Sequence, residues 1–389
     1  MITVMAGKRA AVKAAEAFDT VLDFLESFEA LDDPRQRNKV LYLLDEVLLL
    51  VLLGVLAGCE SWVEIAKFGE KKIDLLRRFR PFEDGTPSHD QLGDIFAVLD
   101  AEQFQSCFIA WAAGLTGLSA DIIAIDGKTL RRSYQEGGAK APIHMISAWS
   151  CRQNLVLGQA KVADKSNEIT AIPKLLELLA VKGSVITIDA MGCQRGIAAK
   201  IIEKEADYVL ALKGNQGTLR DDVELLFAEQ NAANFADISV DRAETIEKSH
   251  GRIETRIVIA TGDIDFLAKT HAWPGLKSIV MIESRRETAD KCEREFRFYI
   301  SSLGADAKRQ GDAVRAHWGI ENGLHWVMDM VFRDDECRIR KQNAPANFAT
   351  IKHMASNLLR RAPGKDSLRV KRKLAAWDDN YLAALVIRK

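Results

Sequence analysis

The stretch DIIAIDGKTLRRS, residues 121–133, changes the character of the chain. Upstream of it, from about residue 18 to 118, apolar residues recur at helical spacing; within it, Ile122 to Ile125 form a short apolar run that ends in a carboxylate, Asp126. Such a run predicts a buried strand. Four more follow: HMISAWS (144–150), LVLGQAKVA (155–163), SVITID (184–189) and YVLAL (208–212). NEITAIPKLLELLAVKG (167–183) and QRGIAAKIIEKEA (194–206), on either side of the fourth strand, have helical spacing. Three strands followed by alternating helix and strand predict an α/β chain with a mixed sheet and helices packed on it.

The rest of the organisation follows outward from that stretch. Residues 1–118 read as a helical N-terminal domain whose connector PFEDGTPSHDQ (81–91) is dense in loop formers. Residues 119–236 hold the first part of the sheet domain, 237–303 turn strand-like again (TRIVIATG, LKSIVMIESRR, REFRFYISSL) as a β insertion, and helix returns in 304–389.

Composition narrows the class. The chain has 389 residues, 48% of them hydrophobic and 28% charged, which suits a globular protein with real cores. Its six cysteines form no CxxC pair and so frame neither a disulfide scaffold nor a zinc module. The apolar run Val47 to Ala57 is shorter than the roughly 20 residues of a membrane span and reads as a core helix. No export signal is expected at the N-terminus, which places the chain in the cytoplasm, at the nucleoid when bound to DNA. The net charge of -1 hides an uneven distribution: between Arg338 and Lys373 there are eleven Lys or Arg and one acid, a block suited to phosphate backbones. Arg35, Arg37 and Lys39 read either as a DNA contact or as a solvated helix start.

Asp126 and Asp189 each end a buried strand, where ligands of open sheets gather. Paired carboxylates suit Mg2+ or Mn2+, hard ions that prefer oxygen, and such a site needs a third carboxylate. Glu321, in RAHWGIENGLHWVMD (315–329), is the first candidate, because Val314, Ile320, Leu324 and Val327 would dock its helix on the sheet; Asp329, Asp334, Asp335 and Glu336 compete. His317, Glu321 and His325 lie along one stripe, but eight residues rise about 12 Å, so the two histidines do not share an ion. Basic and amide residues crowd the strand ends: Lys128, Arg131 and Arg132 after the first aspartate, Gln194 and Arg195 after the second, Lys213, Asn215 and Gln216 after the fifth strand. With Arg315 and His317 beside Glu321, and Arg340 and Lys341 in the basic block, they are candidates for the DNA backbone. The chain has no GxSxG elbow, HExxH helix or GxxxxGK[ST] loop, which excludes the common hydrolase, zinc-protease and nucleotide-triphosphatase readings.

Taken together, IAIDGKTLRRS, ADKSNEITAIPKLLELL, VITIDAMGCQ, YVLALKGNQ, HGRIETR and HWGIENGLHWVMDMVFRDDECRIRK resemble bacterial insertion-sequence transposases of the DDE class, in the branch of the H-repeat-associated proteins. The resemblance runs through nearly the whole chain. It implies a ribonuclease-H-like domain with a β insertion before the glutamate helix, and catalytic, metal-binding roles for Asp126, Asp189 and Glu321. Asp126 would bridge two ions, with Asp189 and Glu321 on one each. The Arg, Tyr and Lys that related transposases carry around the glutamate fall on His317, Val314 and Met328, which leaves Arg315 or His325 to substitute. The implied activity is cleavage and strand transfer of double-stranded DNA at element ends by a homodimer or larger assembly. A ribonuclease-H-like nuclease without strand transfer and a domesticated DNA-binding protein are the alternatives.

Overall fold

A computed structural model describes residues 23–116, 120–133, 142–162, 168–249, 252–288 and 291–387. The first 22 residues, where no export signal is expected, lie outside the described residues.

In chain order the helical part comprises α1 (Asp23–Phe28), α2 (Leu44–Leu56), α3 (Trp62–Lys71), α4 (Ile73–Leu76), α5 (His89–Val98) and α6 (Ala101–Thr116). Ser61 and Ser88 cap α3 and α5 through their side chains, the latter in a reciprocal box with Gln91. In α2 every residue from Val47 to Leu56 is buried, as the apolar run predicts, and no described helix is long and apolar enough to cross a membrane.

The sheet begins with β1 (Ile122–Thr129), β2 (His144–Ser150) and β3 (Leu155–Val162), then α7 (Glu168–Leu178), β4 (Val185–Ile188), α8 (Arg195–Glu203), β5 (Asp207–Leu212) and α9 (Gly217–Ala232). It continues with β6 (Asp241–Ser249), β7 (Arg252–Thr261), α10 (Asp265–His271), β8 (Ser278–Glu287) and β9 (Cys292–Ser301). The strand order is β3-β2-β1-β4-β5-β9-β8-β7-β6. Two antiparallel hairpins followed by two parallel crossovers, β4 onto β1 and β5 onto β4, make the ribonuclease-H-like arrangement. The strands of 237–303 extend this same sheet, because β9 pairs antiparallel with β5 from Val209↔Ser301 to Leu212↔Phe298.

The chain closes with α11 (Ala307–His317), a π turn (Glu321–His325), α12 (Trp326–Met330), α13 (Ala344–Arg361), α14 (Leu368–Trp377) and α15 (Asp379–Val386). These helices do not stand apart. Ile320, Leu324, Phe348, Met354 and Leu382 share one core with Leu48, Phe96 and Phe108 of the N-terminal helices and with Ala124, Trp149 and Val156 of the sheet. The other face of the sheet packs Ile123, Ile125, Ile186 and Ile188 against α7 and α8.

The basic block divides: Lys352, Lys371 and Arg372 are buried, whereas Arg338, Lys341, Arg361, Lys365, Arg369 and Lys373 are exposed. Lys352, only 1% exposed, pairs with Asp334 at 2.8 Å. Lys371 Nζ donates to Leu359 O and Ala362 O at the end of α13, and Arg372 donates to Val55 O at the end of α2 and pairs with Glu60 at 3.3 Å. Arg360, Arg361 and Arg369 donate to the carbonyls of Gly323, Leu115 and Met330. The reason is local. Helix ends leave carbonyls without intrahelical donors, and long cationic side chains satisfy them.

Candidate active site

The strand pleat aims the first carboxylate. Ile123 and Ile125 face one core and Ala124 the other, so Asp126, two residues on from Ala124, projects from the Ala124 face. β1 and β4 run parallel with Ala124 beside Thr187 and Ile125 beside Ile188. The residue after each of these is a catalytic candidate, Asp126 on β1 and Asp189 just past the end of β4, on strands about 4.8 Å apart.

The two carboxylates are held differently. Asp126 Oδ1 accepts from Gly127 N at 2.8 Å, and Oδ2 lies 3.1 Å from His325 Nε2. Burial pushes its pKa up, but the hydrogen bond and charge of His325 outweigh that and hold it below the usual carboxylate value. Asp189 Oδ1 accepts from Met191 N and Gly192 N, capping the single turn Ala190–Gly192. Burial first, and the nearby Asp126 second, raise its pKa. Two crowded carboxylates repelling one another are the electrostatic setting that a divalent cation relieves.

Glu321 arrives from the far side of the chain. Asp306 caps α11 by accepting from Arg309 N at 2.8 Å, and Ala307, Ala313 and Val314 pack on Val185, Val209 and Val258 of the sheet. Beyond α11, Ile320 and Leu324 turn into the helical core and the backbone widens into the π turn, with Trp326 N donating to Glu321 O. Such turns recur at functional sites because they re-aim side chains within a helix. The consequence here is a cluster: Asp126, Glu321 and His325 each offer one ligand atom, all within 4.8 Å of one another. Gly323 permits it. A Cβ there would stand 2.9 Å from Trp149 Cζ2, and Trp149 is 1% exposed with the Arg360 guanidinium 4.8 Å from its ring.

The competing carboxylates have other partners. Asp329 pairs with Lys128, and Asp334 lies between Lys128 at 3.9 Å and Lys352. Asp335 sits 3.6 Å from Arg131, and Glu336 pairs with Arg333. This separates Glu321 from its rivals. It also changes the task of Lys128: Nζ additionally donates to His325 O at 3.4 Å, so a residue expected to hold phosphate instead ties the glutamate segment to β1.

The remaining candidates divide by exposure. Arg131, Arg132 and Lys213 are exposed at the strand ends. Asn215 Nδ2 donates to Ala190 O at 2.5 Å and Gln216 Nε2 to Cys193 O at 2.9 Å, so these amides brace the turn that Asp189 caps. His317 is half-buried, with Nδ1 3.1 Å from Thr187 Oγ1, and burial holds its pKa down. Arg315 pairs with Glu247 at 2.5 Å, Arg340 Nε donates to Arg132 O at 3.1 Å, and Lys341 pairs with Asp94 at 2.5 Å. Arg195 lies 5.3 Å over the Trp273 ring. A cleft of about 940 Å3 between β6–β9 and α11, lined by Arg256, Arg286, Arg297, Arg315 and the half-exposed Trp318, opens beside the glutamate segment. Sequence reasoning placed His325 on the right stripe but missed its contact with Asp126, and it missed Trp149 and Gly323 altogether. The signals for the histidine were its spacing of four from Glu321 and the resemblance, which offered it as a substitute beside the glutamate.

Comparison with known proteins gives a consistent result. Residues 117–358 match the model described as "Transposase DDE domain", and residues 25–112 the one described as "DDE_Tnp_1-associated". YbfL of Escherichia coli (strain K12) is 42% identical over 369 residues, covering 93% of this chain and 97% of its own length. The "H repeat-associated putative transposase YhhI" of the same organism is 41% identical over 369 residues, covering 93% and 97%. Among solved structures, a piggyBac transposase synaptic complex with hairpin DNA superposes with a TM-score of 0.41 at 10% identity, over 96% of this chain and 79% of that one.

Proposed function

The chain belongs to the DDE transposase family, and from that premise we propose that it cleaves DNA at the ends of an insertion sequence and joins the freed 3′ ends to target DNA, with Asp126, Asp189 and Glu321 as the metal-binding carboxylates. The observation that carries the reading is the meeting of Asp126 and Glu321, 195 residues apart in sequence (321 minus 126), beside the strand that ends at Asp189. Divalent cations held there, Mg2+ or Mn2+, would polarise the scissile phosphate and activate the attacking oxygen.

The protein's own groups do the rest by position. The hydrogen bond from Gly127 N fixes one oxygen of Asp126 and leaves the other toward His325 and Glu321. Asn215 and Gln216 hold the Asp189 turn, and Lys128 holds the glutamate segment. Exposed Arg131, Arg132 and Lys213 at the strand ends are the residues we assign to the DNA backbone, with Lys341 further out; phosphate contacts of this kind set register without reading sequence. Arg315, paired with Glu247 on the cleft wall, is free to exchange that exposed carboxylate for a phosphate, since exposed pairs contribute only about 0–1 kcal/mol. Two element ends must be held together during joining, so the working form is a homodimer or larger assembly on double-stranded DNA, in the cytoplasm at the nucleoid.

The test uses inverted repeats flanking the coding region as a labelled duplex. In Mg2+ the protein should nick the repeat end and join a precut end to plasmid DNA, while Asp126→Asn should still bind the duplex and lose both reactions. Retention of cleavage by Asp126→Asn would sink the proposal.

A further inference from the structure

We propose that His325 is a direct nitrogen ligand of the cation shared by Asp126 and Glu321, so that this site favours Mn2+ over Mg2+; the inference rests on the DDE reading of the carboxylates. The argument begins with geometry. His325 Nε2 and Asp126 Oδ2 are 3.1 Å apart, and an octahedral ion with bonds of about 2.1 Å has neighbouring ligands about 3.0 Å apart. Glu321 completes a three-atom group within 4.8 Å, which a small side-chain movement brings inside the about 4.2 Å that separates trans ligands of one ion.

The imidazole is also placed to do this and little else. His325 is 8% exposed, which keeps it from reaching a DNA backbone in solvent. Its position on the chain is fixed twice, by the π turn and by Lys128 Nζ bonded to its carbonyl. In a regular helix Glu321 and His325 would sit about 40° apart around the axis; the wider π turn brings residues four apart closer to alignment. His317, the other histidine of the stripe, is engaged by the Thr187 hydroxyl and is not part of the group.

The chemistry follows from ligand type. A site of carboxylates alone suits Mg2+, whereas an imidazole nitrogen favours first-row transition ions, in which Mn2+ keeps the octahedral oxygen-tolerant habit of Mg2+ while accepting nitrogen. His325 is then a specificity-determining residue for the metal.

Pulsed electron paramagnetic resonance on the full chain with substoichiometric Mn2+ tests this without reading activity. We expect nitrogen modulation in the wild-type spectrum, converted to the 15N pattern by 15N-labelled histidine, lost in His325→Gln and in His325→Asn, and kept in His317→Gln. Mn2+ titrations should show at least about a tenfold weaker affinity in His325→Gln, with Mg2+ affinity falling less. Asp126→Asn should weaken both metals and abolish the nitrogen signal. If Asp126→Asn loses Mn2+ but wild-type Mn2+ shows no nitrogen coupling, the carboxylate site stands and the histidine ligand is wrong. If Asp126→Asn binds both metals like wild type, the proposed function itself fails.

Discussion

Gly323→Ala isolates the geometry of the π turn from everything else in the site. The added methyl carbon would lie 2.9 Å from Trp149 Cζ2 and 3.4 Å from Cε2, against ordinary carbon contacts of about 3.5 Å or more. Trp149 has no room to retreat: it is 1% exposed, it shares a core with Ala124, Val156 and Ile320, and Arg360 covers its ring while bonding Gly323 O. The turn must therefore move by at least about 0.5 Å, which exceeds the ±0.2 Å within which metal ligands are held. The stability change is small because two effects oppose: overpacking costs about 1–3 kcal/mol, and alanine gains back about 1 kcal/mol over glycine in a helix. Cleavage of a labelled element end should fall roughly tenfold to a hundredfold, in line with the cost of displaced catalytic groups, while the melting temperature drops only a few degrees.

Gly319→Ala is the matched control, one turn earlier on the same segment with no atom within 4 Å of the new methyl. It should leave cleavage unchanged and stability equal or slightly higher. Cleavage by Gly323→Ala within twofold of wild type would refute the reasoning, as would an equal loss in Gly319→Ala.

The remaining predictions concern buried charge and thiols. Lys352→Met strands Asp334 beside a single distant lysine, and a broken buried pair should cost about 3–5 kcal/mol, read as a large fall in melting temperature that the double variant with Asp334→Leu partly restores. His353 is buried with its pKa pushed by burial down to about 3, so below pH 6.5 the unfolded chain takes up a proton that the folded chain refuses. Stability should therefore fall with pH between 6.5 and about 3 by up to about 1.4 kcal/mol per unit from this group, and the fall measured by urea unfolding should flatten in His353→Gln; an unchanged pH profile would contradict the burial argument. Among the cysteines, Cys292 alone is exposed, while burial raises the thiols of Cys59, Cys151 and Cys193 to about 12, so one thiol should react rapidly with a disulfide reagent and Cys292→Ser should abolish that phase.

The strands that carry the aspartates were legible because a buried strand has a simple signature, an apolar run ended abruptly by a charge. The pleat then does the rest: once Ala124 faces the helices, Asp126 must follow, and no other information is needed. Glu321 was legible as a docked glutamate, but not as distinct from Asp329 or Asp334, because what distinguishes them is a lysine 201 residues from Asp329 and another 18 residues from Asp334. The π turn was illegible for a related reason. ENGLH keeps ordinary helical spacing, and the widening lies where Gly323 meets a tryptophan from β2. Charge counting could not sort the basic stretch, since composition does not say whether a cation faces solvent or a helix end; Lys371 and Arg372 face carbonyls, while Lys365 and Lys373 are exposed.

That division has a structural counterpart in the role of the helical part. Helices serving only to grip DNA would need no contact with the glutamate segment, yet Ile320 and Leu324 are buried in one core with α2, α5 and α6. Asn347 reaches from α13 to the carbonyls of Phe96 and Leu99 at the end of α5, and Asn357 pairs both ways with the backbone of Val156 on β3. The segment bearing Glu321 enters the site 132 residues after Asp189 (321 minus 189) and owes its position to this wall behind it. Arg360 links the wall to the site directly, stacking on Trp149 and bonding the carbonyl of Gly323. Packing in the helical core and the alignment of the carboxylates are therefore one problem: a cavity cut near Leu324 should misplace Glu321 as surely as a change beside the aspartates.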